Sequence, residues 1–227
     1  MTINCALDGP SGAGKSTIAK AVAKKLGYVY VDTGALYRSI GLYCTRNGID
    51  ISDSAAVEGV LSEIKVELKY VDGSQTVRLN GEDVSGLIRT DEISMAASAV
   101  SAIPAVRAFL LELQRSIARE NDIVMDGRDI GTVILPNAQV KIFMTASAEE
   151  RANRRYKELL ERGQDVNYDD VLRDINQRDY NDSHRDISPL KKADDAYELD
   201  TSHMSIEEAV DAVCRIIAEK TAEQDKD

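Results

Sequence analysis

The segment that most restricts this chain is Gly9–Ser16, GPSGAGKS, set between the apolar run INCALD and the amphipathic stretch KSTIAKAVAKKLG. It fits G-x-x-x-x-G-K-[ST] and has the flanks that pattern needs, a short buried strand before it and a helix after it. Glycines let the backbone curl until successive N–H groups face phosphate oxygens, and the helix N-terminus adds partial positive charge. Gly9, Pro10, Ser11, Gly12, Ala13, Gly14, Lys15, Ser16 and Thr17 are therefore expected to bind the phosphates of ATP. Lys15 would reach the outer phosphates as a catalytic cation, and Ser16 would offer its hydroxyl to Mg2+. A chance glycine-rich turn is the alternative, and correct elements on both sides argue against it.

The rest of the chain extends the strand–helix rhythm. Ile18, Val22 and Leu26 recur at helical spacing and Gly27 ends that helix. YVYVD reads as a second strand, and TGALYRSIGLYCTRNG as a second helix with Leu36, Ile40 and Tyr43 on one face. The period then changes. Val66, Leu68 and Tyr70 alternate with polar neighbours, Asp72-Gly73 turns, and Val77 and Leu79 resume the alternation. This places a small inserted antiparallel subdomain at 62–89, within a core formed by 1–61 and 90–227. Beyond it the spacing predicts helices at 91–102 and 104–120 and strands at DIVM, VKIFMTA and AYELD. Ser147 with Glu150 and Ser205 with Glu208 form capping boxes, and Asn167 caps a helix between them. Alternation of this kind implies an α/β fold with a parallel sheet covered on both faces.

Composition narrows the function. No apolar run approaches the roughly 20 residues that span a bilayer, and MTINCALDGPS lacks the basic start of a signal peptide, so the chain reads as cytoplasmic with no membrane partner. Cys5, Cys44 and Cys214 lie far apart, which suits apolar filler better than a disulfide framework or a zinc site. A net charge of −11 disfavours nucleic acid as a partner. Yet arginines concentrate between Arg89 and Arg185, so a local pocket for a small polyanion is compatible with an acidic whole. Nothing marks an obligate interface, and a monomer is expected. The polar tail AEKTAEQDKD suggests a solvated helix end.

Five further strings carry a resemblance: DTGALYR, GEDVSGLIRT, AASAVSAIPAVR, DGRDIGT and RDYNDSHRDISPL. Together they resemble the bacterial cytidylate (CMP) kinases, within the P-loop nucleoside monophosphate kinases, from Ile3 to about Ile217. The resemblance implies a P-loop kinase fold: a five-stranded parallel sheet flanked by helices, a monophosphate-binding insertion, and a helical lid at about 151–166. It implies phosphorylation of CMP and dCMP to CDP and dCDP by in-line transfer from ATP, with Mg2+ and lid closure. Another P-loop small-molecule or nucleotide kinase is the alternative, and a nucleotide-dependent switch or binding module is the alternative of a different class.

The resemblance also assigns roles. Arg38, Arg128 and Arg185 would contact the acceptor phosphate, whose oxygens suit guanidinium forks, with Arg128 also catalytic. Each would serve equally as an ion-pair partner if taken alone. Asp129 matches the base reader, since a carboxylate accepts from the cytosine amino group and repels the uracil oxygen. Ser98 and Arg107 would complete that edge, and Arg178 and Asp182 would lie near the ribose. Thr33 stands where the family often has serine, and Tyr37 belongs either beside the acceptor or in the core. Asp126, in IVMDGRDIGTV, would hold a Mg2+-bound water near Ser16. Arg151, Arg154, Arg155 and Arg162 read either as a salt-bridged helix face or as lid arginines that close over the transferring group, with Arg154 and Arg155 catalytic. The attacking phosphate oxygen is already anionic, so neither His184 nor His203 need act as a base.

Overall fold

The computed structural model describes residues 2–71 and 74–224; the expected Asp72-Gly73 turn and the end of the polar tail lie outside them. In chain order the elements are β1 (Asn4–Asp8), α1 (Lys15–Leu26), β2 (Val29–Asp32), α2 (Thr33–Arg46), α3 (Ser54–Val60), β3 (Val66–Val71), β4 (Ser74–Leu79) and β5 (Glu82–Asp83). They continue with α4 (Asp91–Val100), α5 (Pro104–Glu120), β6 (Ile123–Gly127), β7 (Val140–Thr145), α6 (Ala148–Glu161), α7 (Tyr168–His184), β8 (Tyr197–Asp200) and α8 (Ile206–Gln224).

Five strands form one parallel sheet of order β2-β6-β1-β7-β8. Its two faces are built by alternation along each strand. Cys5, Leu7, Val124, Val140 and Ile142 pack with Ile18 and Val22 of α1 and Val213 and Ile217 of α8. Ala6, Ile123 and Met125 pack on the other face with Ala118 of α5. Register aligns the strand ends: Asp8 pairs with Gly127, and Asp32 with Asp126. Three carboxylates thus reach the carboxyl edge of the sheet, where open α/β folds bind ligands.

Helix ends follow local chemistry. Gly27 (φ 74°) closes α1 in the left-handed region. Asp32 caps α2 and Asn167 caps α7. Ser205 and Glu208 exchange both bonds of a capping box, whereas Ser147 caps α6 without a return bond, its own N–H donating to Ser202 Oγ while Glu150 pairs with Arg154. Helix α3, capped by Asp53, is an element that hydrophobic spacing does not reveal, being only 7 residues long.

Strands β3, β4 and β5 form a separate antiparallel sheet spanning 66–83. Its apolar side has no core of its own. Val66, Val77 and Leu79 join one cluster with Leu36 and Ile40 of α2, Ile93 of α4 and Leu110 of α5. Among the described residues, no single helix is long and apolar enough to cross a membrane. Cys5 and Cys44 are buried free thiols, and Cys214 is half-buried.

Candidate active site

The phosphate loop leaves β1 at Gly9. Its φ is 147°, and a Cβ there would stand 2.1 Å from the Met144 carbonyl oxygen on β7, so only glycine fits. Lys15 is buried, and its Nζ donates to the Pro10 carbonyl at 2.7 Å. Burial, and then the charge of Arg128, push its pKa down to about 7, while Asp126, Asp8 and Asp182 favour the ammonium form. Ser16 Oγ donates to Asp126 Oδ2 at 2.8 Å, and Tyr30 Oη donates to Asp126 Oδ1 at 2.9 Å. Burial and the neighbouring Asp32 raise the Asp126 carboxyl. An adjacent hydroxyl and carboxylate suit Mg2+, which takes few protein oxygens and keeps several waters. Among the described residues no group of three or more His, Cys, Asp or Glu offers a fuller cage.

The residues that the resemblance assigns to the acceptor share with this loop a cleft of roughly 1840 Å3 lined from Ser11 to Ala209. Small-molecule pockets usually enclose about 300–1,000 Å3, so the cleft exceeds what one small ligand needs. Arg38 pairs with Asp32 at 2.7 Å, and its Nε is buried with no hydrogen-bond partner among the described residues. Arg128 Nε donates to Asp182 Oδ2 at 2.8 Å. Arg185 donates from Nε to the Ser188 carbonyl and from Nη1 to Ser101 Oγ, leaving Nη2 buried, without a hydrogen bond, 3.9 Å from Asp129 Oδ1.

These cations repel one another. Burial, then Arg128, with Arg155 and Arg38 behind it, lower the pKa of Arg178. Burial, then Arg107, lower that of Arg185. Burial would raise the Asp182 carboxyl, but the charge and hydrogen bond of Arg128, with Arg185 and Arg178, outweigh it and hold the group below the usual range. Such a cluster gains from an entering dianion.

Deeper in the cleft, Arg107 Nη2 donates to Asp129 Oδ2, and Arg107 Nη1 donates to the Ser101 carbonyl at 3.2 Å. Both members of the pair are buried, and the Arg107 guanidinium lies 5.7 Å from the Tyr37 ring centre. Tyr37 is both a core residue and a wall of the cleft. Ser98 lies half-buried on the cleft wall, and the Thr33 hydroxyl donates to the Asp126 carbonyl at 2.8 Å.

A family model described as cytidylate kinase matches residues 5–219. The chain belongs to the cytidylate kinase family. The cytidylate kinase of Lactobacillus johnsonii is 49% identical over 215 residues, which cover 95% of this chain and 94% of that protein. The cytidylate kinase of Caldicellulosiruptor bescii is 49% identical over 214 residues, covering 94% and 95%. A crystal structure of a protein from Eubacterium ventriosum is 12% identical, with a TM-score of 0.53 over 96% of this chain and 99% of that one, and shares the fold alone.

In this member of the cytidylate kinase family, the arginines of α6 and its C-terminal end, expected to form a lid, divide by burial. Arg151 is buried and turned toward the back of the phosphate loop. Its Nη1 donates to the Ser11 carbonyl at 3.0 Å and its Nη2 donates to Asp179 on α7. Arg154 reaches past Gly14 to the Thr201 carbonyl at 2.6 Å. Arg155 bridges Glu158 and Asp91, and Arg162 pairs with Glu158. Both Arg154 and Arg155 line the cleft. Residue patterns gave no notice of Ser101, Asp179 or the Thr201–Met204 wall, because each acts through partners distant in sequence, nor of Asp32, although its partner Arg38 is only 6 residues on. Asp8 is another; like Asp126, it is a charge ending a buried apolar run, the signal that could have found it.

Proposed function

We propose that this chain transfers the γ-phosphoryl group of ATP to CMP or dCMP, giving ADP and the corresponding diphosphate, with Mg2+ bound beside the donor. The observation that carries this reading is the convergence, in one cleft, of the glycine-rich loop with Arg38, Arg128, Arg178 and Arg185 and with the buried Arg107–Asp129 pair.

The loop amides and Lys15 hold the donor phosphates, while Ser16 and Asp126 would hold the metal, Asp126 through a bound water. When bound, Mg2+ supplies charge neutralisation at the donor phosphates. Arg38, Arg128 and Arg185 hold the acceptor phosphate in line, and the orphaned Arg38 Nε and Arg185 Nη2 are the donors best prepared to do so. An acceptor phosphate oxygen attacks the γ-phosphorus as the bond to the ADP oxygen breaks, and no proton has to move. Positioning and charge neutralisation therefore carry the catalysis. Asp129, steadied by Arg107, accepts from the cytosine amino group, and Asp182 and Arg178 face the ribose. Arg154 and Arg155 exchange their present partners for phosphates when the lid, at about 151–166, closes and excludes water. The segment 62–89 acts as the acceptor-side insertion, and one chain supplies the whole site, so the working unit is a monomer.

Incubation of the protein with Mg-ATP and a panel of nucleoside monophosphates tests the reading. CDP and dCDP should form fastest; a folded protein that hydrolyses ATP to ADP and phosphorylates none of the monophosphates would point instead to a nucleotide-dependent module.

A further inference from the structure

Among the buried charges that the mechanism above does not use is Asp8. Asp8 ends β1, immediately before the phosphate loop, and is 5% exposed. Its carboxylate accepts from the turn that follows the base reader. Residues Ile130–Ile134 form a single widened helical turn of the π type, closed by the bond from the Leu135 N–H to the Ile130 carbonyl at 2.7 Å. The Asp129 carbonyl accepts from Val133 and Ile134. The first amides of such a turn have no partner inside it. Here Ile130 N–H donates to Asp8 Oδ1 at 2.8 Å and Gly131 N–H donates to Asp8 Oδ2 at 2.7 Å. A carboxylate more than a hundred residues away in sequence thus caps the turn.

We propose that Asp8 is a positioning residue for base selection, fixing Asp129 against the acceptor base by capping the turn that begins at Ile130. Asp8 is itself held in the sheet, pairing in register with Gly127 on β6 and Phe143 on β7. The base reader therefore hangs from the strand that opens the phosphate loop. Arg107 secures the Asp129 side chain, and Asp8 secures its backbone. Gly131 permits the close approach, since a Cβ there would meet Lys141 Cδ at 3.2 Å and Asp8 Oδ2 at 3.4 Å. The inference rests on the reading of Asp129 as the base contact.

The isosteric change Asp8→Asn tests it, because one side of the amide then presents N–H against a backbone N–H. Losing a hydrogen bond to a charged group in a buried site corresponds to about tenfold or more. In D8N, KM for CMP is expected to rise about tenfold and the CMP-to-UMP ratio of kcat/KM to fall by a similar factor. A folded D8N with the CMP-to-UMP ratio unchanged overturns the proposal, whatever happens to KM for ATP. The wild type and D129N run beside it as controls. A wild type indifferent to the base, or a D129N with an unaltered ratio, defeats the reading of Asp129 itself. Should D8N not fold, amide exchange of the wild type decides. Protection of Ile130 and Gly131 comparable to the β1 amides, deepened by CMP, supports the cap; exchange at open-loop rates overturns it.

Discussion

At the scale of single residues, the site is governed by charges that burial makes expensive to misplace. Asp129 is the clearest case. Its carboxylate is buried beside Arg107, and a site that pairs a polar group discriminates far better than an apolar one. Asp129→Asn should lower the CMP-to-UMP ratio of kcat/KM by about tenfold or more; steady-state kinetics on both nucleotides would show it. Lys15→Met removes the one ammonium within the phosphate loop. By analogy with the loss of a single charge-stabilising donor, kcat should fall by about 10²–10³, with the far-ultraviolet circular dichroism spectrum unchanged. Asp182 adds a pH dependence. Its folded pKa is depressed by Arg128, Arg185 and Arg178, against burial. The stability it contributes is present above the unfolded value of about 3.9 and is lost as pH falls through the folded value. Denaturant titrations should find Asp182→Asn more destabilising at neutral pH than in acid, and a penalty independent of pH would contradict the assignment.

At the scale of elements, function depends on how closely helices and loops approach. Gly41 on α2 lies against α4, and a Cβ there would stand 3.0 Å from Ala96 Cβ and 3.1 Å from the Ala97 backbone nitrogen. Gly41→Val should therefore cost about 1–3 kcal/mol of stability through overpacking, seen as a lowered thermal midpoint, and should weaken CMP binding through Ser98 on the displaced helix. Elements whose signals are local were legible without coordinates. The phosphate loop, the Gly27 stop, the Ser205–Glu208 box and the change to period two at Val66 each declare themselves within a few residues. What escaped was set by distance. Arg151 shares helical spacing with Arg154, yet it is buried against Ser11 and Asp179, and spacing on one helix carries no information about what packs on it. Arg155 finds Asp91 from 64 residues away, and Asp8 finds Gly131 from 123. Strand ends that register brings together are invisible until the sheet order is known.

At the scale of the whole molecule, an acidic protein of net charge −11 keeps a concentrated positive cleft between its phosphate loop and its acceptor wall. Burial, and then the charges of Arg128, Arg155 and Arg38, push down the pKa of Arg178, and an entering polyanion would offset that repulsion. Saturating CMP with an unreactive ATP analogue and Mg2+ should therefore raise the thermal midpoint by more than either ligand alone. The lid expectation belongs to the same scale: Arg155 is engaged by Asp91 and Glu158, and the proposed closure would have to exchange those carboxylates for phosphates. The central claim is that this one cleft joins a triphosphate donor to a cytosine monophosphate acceptor. Its most direct test is the initial rate of diphosphate formation from CMP, dCMP, UMP, AMP and GMP, measured under the same conditions with Mg-ATP. The account predicts CDP and dCDP well ahead of UDP and little product from the purines; equal rates across the panel, or ATP hydrolysis to ADP with none of the monophosphates phosphorylated, would contradict it.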